Sequence, residues 1–385
     1  MICKKSFIYA VFCTILLTGC ASGNSYLKDA VSAAPRSAQY TVELDWQYAL
    51  DNNPPKALGS IPLELGSVRS VRGVTYATSG MGKVIAIDEK TATPRWNVDL
   101  GVPVTAGPVV TNQAVFVALS DGAVLRLSSR TGEIVWRIET GAAVENSLSV
   151  KNGMLSCVNV NNRLFLIDVE TGTIKWRRER PRTSEFVMYG QSSPLIDDNG
   201  NIYAGFSDGV LVAYAENGTA IWSRELAPNA RFKDLDVAPV RLNQTLYVAS
   251  SSGGLYALSA DDGHTIWQRD IIGISSIVPF QDSLYIASQS GIFRLRLQDG
   301  STLWQNVIQK DALISAIQLG KTYIYASVQK FGLVMIDRRT GDLRHTIDMG
   351  SDFTAAPHLI DGAFVALSNK STIYRFIVDD SPLIK

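Results

Sequence analysis

Two stretches of equal length decide how this chain folds. Gly122 to Trp136 reads Gly-Ala-Val-Leu-Arg-Leu-Ser-Ser-Arg-Thr-Gly-Glu-Ile-Val-Trp, and Asn162 to Trp176 reads Asn-Arg-Leu-Phe-Leu-Ile-Asp-Val-Glu-Thr-Gly-Thr-Ile-Lys-Trp. Each passes from an apolar segment through Thr-Gly to a tryptophan four residues after the glycine. The same frame returns from Gly82 to Trp96, Gly253 to Trp267 and Ser290 to Trp304, and one residue shorter from Gly209 to Trp222. A seventh copy, from Phe331, keeps Thr340-Gly341 but has His345 in place of the tryptophan. The first copy has lost its turn glycine near Pro94.

Successive copies stand 37 to 46 residues apart. A period near 40 with several short strands per unit is the mark of a propeller blade. Each unit opens with a short apolar strand, often after proline, as in Ser193-Pro194-Leu195-Ile196 and Ala238-Pro239-Val240. An alternating strand such as Thr245-Leu246-Tyr247-Val248-Ala249 follows, then a Ser-Asp-Gly or Ser-Gly-Gly turn, a third strand and the Trp strand. Apolar runs punctuated by Gly, Asn and Asp are what antiparallel hairpins require.

Seven complete units run from about residue 60 to 349, and the segment from Ala356 to Phe376 supplies three further strands without a Trp strand. Thr41-Val42-Glu43-Leu44-Asp45-Trp46 is a Trp strand with no blade before it. Joining the two predicts an all-β fold: an eight-bladed β-propeller of four-stranded antiparallel blades over residues 41–378, its last blade closed by the N-terminal strand, with 379–385 as a tail. Closure removes open sheet edges. All seven tryptophans then obey one rule and are expected to pack between blades, where each can bury roughly 150–250 Å².

The first nineteen residues read as a signal peptide. Lys4 and Lys5 precede an apolar run from Phe7 to Leu17, too short for the ~20 residues that span a bilayer. The run ends in Leu17-Thr18-Gly19-Cys20, which resembles the lipobox of bacterial lipoproteins, with Cys20 the lipidated residue. Ala21 rather than Asp after it favours the outer membrane over inner-membrane retention. Residues 20–40, rich in Ser, Ala, Gly and Asn, read as a flexible tether with an end-to-end distance of roughly 25 Å. Of four cysteines, only Cys157 remains after Cys3, Cys13 and Cys20 are set aside, so no internal disulfide is expected, and Cys157 reads as a buried small hydrophobe.

Composition is bland. Apolar residues make up 46% and charged residues 19%, with zero formal net charge. Recognition of nucleic acid needs a clustered basic field, so no nucleic-acid partner is expected. Catalytic patterns are poor. Gly205-Phe206-Ser207-Asp208-Gly209 matches the string of a nucleophile elbow, but that elbow needs a strand-to-helix turn, and Ser-Asp-Gly repeats the hairpin at Ser120-Asp121-Gly122. His264, His345 and His358 have no metal-ligand spacing, and Asp197-Asp198-Asn199-Gly200-Asn201 lacks the closing Glu of a calcium loop. No catalytic residue, metal or cofactor is expected.

The repeat Ala-Leu/Ile-Asp-x-x-Thr-Gly-x-x-x-Trp is similar to the quinoprotein-type (PQQ-like) propeller repeat, and lacks the Gly-His and Trp-Asp pairs of WD40 blades. With a lipobox, a short tether and eight blades, the chain resembles the BamB family of outer-membrane assembly lipoproteins. That resemblance implies a non-enzymatic scaffold. Its partners would be the central barrel protein's periplasmic domains and the other assembly-machinery lipoproteins, with the outer membrane reached through the lipid anchor. Two loops sharpen it. Lys233-Asp234-Leu235-Asp236-Val237-Ala238-Pro239 is similar to the family's Asp-x-Asp stretch, and Phe186-Val187-Met188-Tyr189-Gly190-Gln191-Ser192-Ser193-Pro194 to its apolar-x-apolar-Arg-Gly loop, with Tyr189 where the family has Arg. Phe186, Met188, Tyr189, Asp234 and Asp236 are therefore the candidate partner-binding residues, expected on one face as apolar side chains beside two presented carboxylates. The plainer alternative is that Asp234 and Asp236 cap turns. Two other functions remain: a propeller lipoprotein holding other envelope components, and a quinoprotein dehydrogenase. The second is opposed by the absence of that family's adjacent cysteine pair.

Overall fold

The computed structural model describes residues 41–51, 66–181, 192–226, 228, 232–235, 237–308 and 312–379. The chain divides into two units, 1–37 and 38–385, and every described residue belongs to the second. Cys20 and the leader and tether segments 1–40 therefore lie outside the described residues.

The described chain forms eight four-stranded antiparallel sheets, and no helix occurs among the described residues. Blades 1 to 7 are each four consecutive strands, over 68–99, 104–139, 149–179, 195–225, 240–269, 274–306 and 314–347. Blade 8 combines His358–Ile360, Ala363–Leu367 and Thr372–Asp379 with Thr41–Ala49, which runs antiparallel to Thr372–Asp379 along its whole length. The innermost strand of blade 8 in turn touches that of blade 1, closing an eight-bladed β-propeller. The N-terminal strand does close the last blade, as the unpaired Trp46 predicts.

Burial explains the strand composition. The second and third strands of each blade are flanked on both faces by neighbouring blades, so they read as continuous apolar runs. Ala114–Leu119 is buried at every residue, and Lys83–Asp88 at its four central ones. Alternation survives in the outermost strands: Ile134–Glu139 and Ile174–Glu179 switch between partly buried and exposed toward their ends. Cys157 sits within blade 3 with no solvent exposure, and burial pushes its thiol up to about 12. It is a core residue.

The tryptophan rule has a physical basis that includes the glycine. Each indole N–H donates across the seam to a backbone carbonyl in the third-to-fourth-strand turn of the next blade. Trp96 reaches Ser129, Trp136 reaches Val169 and Trp222 reaches Ala260, all at 2.9 Å; Trp176 reaches Glu216 at 2.7 Å. Trp46 closes the circle by donating to Glu89 of blade 1 at 2.9 Å. The turn glycine of the receiving blade lies under the ring. A Cβ on Gly263 would stand 2.7 Å from Trp222, and one on Gly300 would stand 2.9 Å from Trp267. Both glycines also hold positive φ, at 73° and 68°. The turn therefore needs glycine twice over, for its backbone and for its neighbour's indole.

Candidate functional site

Topology decides which loops share a face. Strands alternate in direction within a blade, so second-to-third-strand turns and blade-to-blade crossovers emerge on one face, here the upper. First-to-second and third-to-fourth hairpins emerge on the lower. The crossover of 180–194 enters blade 4 and that of 226–239 enters blade 5, so both candidate segments root on the upper face of successive blades. Phe186, Met188, Tyr189 and Asp236 lie outside the described residues.

Asp234 is described, and it departs from expectation. It is only 3% exposed, so it is not a carboxylate presented to solvent. Its segment is fastened to two blades at once. The Asp234 carbonyl accepts from the Ser251 amide at 3.0 Å and from Ser251 Oγ at 3.1 Å, both in a turn of blade 5. Next to it, Leu235 is fully buried and its amide donates to Phe206 of blade 4 at 3.4 Å. Glycines permit the approach: a Cβ on Gly205 would come 2.7 Å from Leu235, and one on Gly209 would come 2.6 Å from Lys233. Asp234 and Leu235 are buried together because the segment lies between the turns of blades 4 and 5, which cover both. Lys233 points out and pairs with Glu225 at 2.9 Å.

The turn beneath is the sequence Gly205-Phe206-Ser207-Asp208-Gly209, and it is a hairpin. The Gly209 amide donates to Phe206 at 3.1 Å. Ser207 Oγ bonds Asn162 Oδ1 at 3.1 Å, tying the turn of blade 4 to that of blade 3. Asp208 takes Arg180 from the start of the preceding crossover, with N–O distances of 2.8 and 2.9 Å. Arg180 also lies over the Phe206 ring, 5.8 Å from its centroid. Ser207 is thus a bonded turn residue. Asn162, Ser207, Asp208 and Arg180 form a polar clamp that holds the root of the 180–194 crossover, while the carbonyls of Phe206 and Gly209 in the same turn accept from Leu235 and Leu226 of the 226–239 crossover. Reading the sequence missed it, although the recurring Ser-Asp-Gly turn marked its place.

On the lower face, the Asp197–Asn201 stretch is a capped turn. Asp197 Oδ1 accepts the amides of Asn199 and Asn201 at 2.8 and 2.9 Å. Its Oδ2 accepts the Tyr203 hydroxyl at 3.2 Å and pairs with Arg241 of blade 5. Burial, then the Asp197 charge, push the Tyr203 hydroxyl up to about 12. The carboxylate is spent on a turn and an interblade ion pair. No group of three His, Cys, Asp or Glu able to hold a metal occurs among the described residues. No helix there is long and apolar enough to cross a membrane.

The family model described as "Outer membrane protein assembly factor BamB" matches residues 43–142 and 80–306 of this chain. A protein of that description from Legionella pneumophila (strain Paris) is 32% identical over 106 residues, 26% of this chain and 27% of the relative. One from Vibrio cholerae serotype O1 is 28% identical over 200 residues, 50% of this chain and 52% of the relative. The matched stretches thus span about a quarter to a half of these relatives' lengths. Among solved structures, BamB from Moraxella catarrhalis superposes with a TM-score of 0.75 at 17% identity, over 88% of this chain and all of that one. A quinohemoprotein alcohol dehydrogenase from Comamonas testosteroni superposes with a TM-score of 0.65 at 13% identity, over 87% of this chain and 76% of that one. At such identities the likeness concerns the fold.

Proposed function

Given that this chain belongs to the family of the outer membrane protein assembly factor BamB, we propose that it is a non-enzymatic scaffold of the β-barrel assembly machinery. In this reading residues 1–19 are a signal peptide, Cys20 carries lipid, and the tether of 20–40 holds the propeller at the periplasmic face of the outer membrane. The propeller binds the periplasmic domains of the central barrel protein, sits with the other assembly lipoproteins, and assists folding and insertion of outer membrane proteins.

The observation that carries the reading is the family match over 43–306, which runs through both crossovers. The site's architecture supports it. Loops on a rigid ring are where binding residues collect; the clamp of Asn162, Ser207, Asp208 and Arg180 fixes the root of the 180–194 segment, and backbone bonds to Phe206 and Gly209 fix the 226–239 segment. Phe186, Met188 and Tyr189 supply apolar contact, with Tyr189 stacking where the family's Arg would pair. Asp236 supplies the charge. Asp234, being buried, positions the loop.

The test is binding of the folded mature protein to the purified periplasmic region of the barrel protein. Met188→Ala and Phe186→Ala should mainly speed dissociation, whereas Asp236→Lys should slow association and reduce its salt dependence. Unchanged affinity in the combined variant would remove these loops from the interface. Absence of the barrel protein from a gentle detergent pull-down would remove the function.

A further inference from the structure

The copy of the repeat that is one residue short, Gly209 to Trp222, sets blade 4 apart on the lower face. Its third-to-fourth-strand turn closes with the Gly218 amide on the Ala215 carbonyl at 2.8 Å, one residue tighter than Gly132 on Ser128 or Gly172 on Asp168. In the longer turns the residue that accepts the neighbouring indole has a second task. Its amide donates to the first-to-second hairpin of its own blade: Ser129 to Gln113, Val169 to Gly153, Ala260 to Gln244 and Leu297 to Asp282, at 2.9 to 3.3 Å. Glu216 of the short turn accepts the Trp176 indole, but its amide makes no such bond to the hairpin of 197–201. Glu216 is also exposed, whereas the residues that accept the other six indoles are buried or half-buried.

The two hairpins of blade 4 therefore stand apart, and the seam with blade 3 is open. A cavity of about 690 Å³ lies there, walled by Trp176, Met154 and Leu166 of blade 3 and by Asn199, Glu216 and Asn217 of blade 4. Two smaller cavities, of about 190 and 450 Å³, adjoin it, and Asn199 lines all three. Pockets for small molecules run to about 300–1,000 Å³ and combine apolar walls with a few placed polar groups.

The polar groups narrow the ligand. Every cation in these walls is already paired: Lys151 with Asp198 at 2.6 Å, Lys175 with Asp168 at 3.4 Å, and Arg241 with Asp197. Glu216 has no ion pair with a described residue, and its carboxylate lies over Gly200, where a Cβ would stand 3.3 Å from Oε2. The one unspent charge is thus negative, which opposes an anionic ligand. What remains is amide. The Asn199 side chain is exposed and bonds no described residue, since only its backbone amide serves the turn. Asn217 accepts from Thr219 through Oδ1 at 2.9 Å and keeps its NH2 group, while Asn152 donates Nδ2 to the Asp198 carbonyl at 3.3 Å and keeps its oxygen. Side-chain amides both donate and accept, as hydroxyls do. An extended peptide would instead need a sheet edge. These walls are hairpin turns, with the amides of Asn199, Gly200 and Asn201 all spent on Asp197.

We propose that this groove binds a neutral saccharide, with its hydroxyls on Asn199, Asn217, Asn152 and Glu216 and its C–H surface against Met154 and Trp176. The site lies on the face opposite the 180–194 and 226–239 segments and rests on no part of the partner-binding reading.

The test titrates the whole mature protein with N,N′-diacetylchitobiose, with maltose, and with a capped alternating alanine–serine peptide, in separate arms. The indole N–H resonances report binding. At least one saccharide should shift the Trp176 resonance saturably and leave the other six in place, with an affinity that added sodium chloride does not change. Response to diacetylchitobiose alone identifies an acetamido sugar, and response to both identifies pyranoses as a class. Asn199→Ala removes an exposed side chain that the fold does not use, and should weaken binding by about three- to tenfold, the loss of a neutral hydrogen bond or two. Asn112→Ala, in the corresponding hairpin of blade 2, should bind as the wild type does. A flat Trp176 resonance with both sugars, an unchanged affinity in Asn199→Ala, or a peptide that binds as tightly as either sugar overturns the proposal.

Discussion

Seven seams of the ring are built on tryptophan, and the seam between blades 7 and 8 is built on His345. Register shows the equivalence: His345 stands opposite Met335 as Trp304 stands opposite Arg294. The difference lies in what the side chain would meet. At six seams the tryptophan covers the turn glycine of the next blade, as Trp304 covers Gly341. Blade 8 cannot offer that seat. Its third and fourth strands, Thr372–Asp379 and Thr41–Ala49, come from opposite ends of the described chain, so no tight turn joins them. A tryptophan at 345 would have nothing to cover. The seam is filled instead by packed rings, with Tyr325 tilted against Phe364 at 5.1 Å and Phe364 stacked on Phe376 at 4.9 Å. The seam between blades 8 and 1 is intermediate: Trp46 has its carbonyl partner, but the turn residue is Ala92, held at a φ of 55°.

The largest effect should come from blade 8. Deleting 41–49 removes Trp46, a full strand pairing and the ion pair of Asp45 with Arg375 together. We expect loss of a stable monomer, judged by melting and by sedimentation. A truncated monomer that melts with the full-length protein would contradict closure.

Next come the seams themselves. Trp222→Ala should cost about 3–5 kcal/mol, whereas His345→Ala, at an exposed site, should cost within about 0.5 kcal/mol. Denaturant melts would compare them, and equal costs would show that the two seams do not differ. A finer contrast uses the seats. Gly263→Ala forces an alanine to a φ of 73° and a Cβ against Trp222, which should cost about 1–3 kcal/mol. Ala92→Gly relaxes a left-handed alanine and should gain about 0.5–1 kcal/mol after glycine's added entropy. A loss at Ala92→Gly would mean that its methyl packs favourably under Trp46. Finally, His345→Trp should change stability by less than about 0.5 kcal/mol. A large gain would show that blade 8 does offer a seat.

Much of this was legible in the sequence. Period, blade count and the role of Trp46 follow from one repeated frame, because the frame records a geometry each blade must meet. The glycine four residues before five of the tryptophans and before His345 was legible as a turn but not as a seat, since the indole it accepts comes from the preceding blade, 33 to 42 residues earlier. The candidate site was less legible. Asp234 looked presentable because Asp-x-Asp is polar, yet its burial depends on where the crossover meets the turns of blades 4 and 5. His358 lies 288 residues from Ser70, whose carbonyl its ring bonds, and the two meet only because the ring closes.

The smallest prediction separates two histidines on either side of that unusual region. Burial, then the Arg69 charge, lower the pKa of His358, while its bond to Ser70 opposes them. His345 is also lowered by burial, yet it is exposed at its seam, and solvent screening makes its contribution the weaker of the two. The sign follows from linkage. A histidine whose folded pKa lies below its unfolded value of about 6.5 binds more protons when unfolded across that interval, so stability rises with pH there and falls on acidification. The wild type should therefore lose stability as the pH drops through about 6.5 and on toward the lower folded pKa. His358→Gln should flatten that loss, while His345→Gln should leave it nearly intact. Melting temperatures of the three proteins at several pH values in chloride buffer are sufficient. If His345→Gln flattens the profile and His358→Gln does not, the buried titrating group lies at the seam of blades 7 and 8 and not at that of blades 8 and 1.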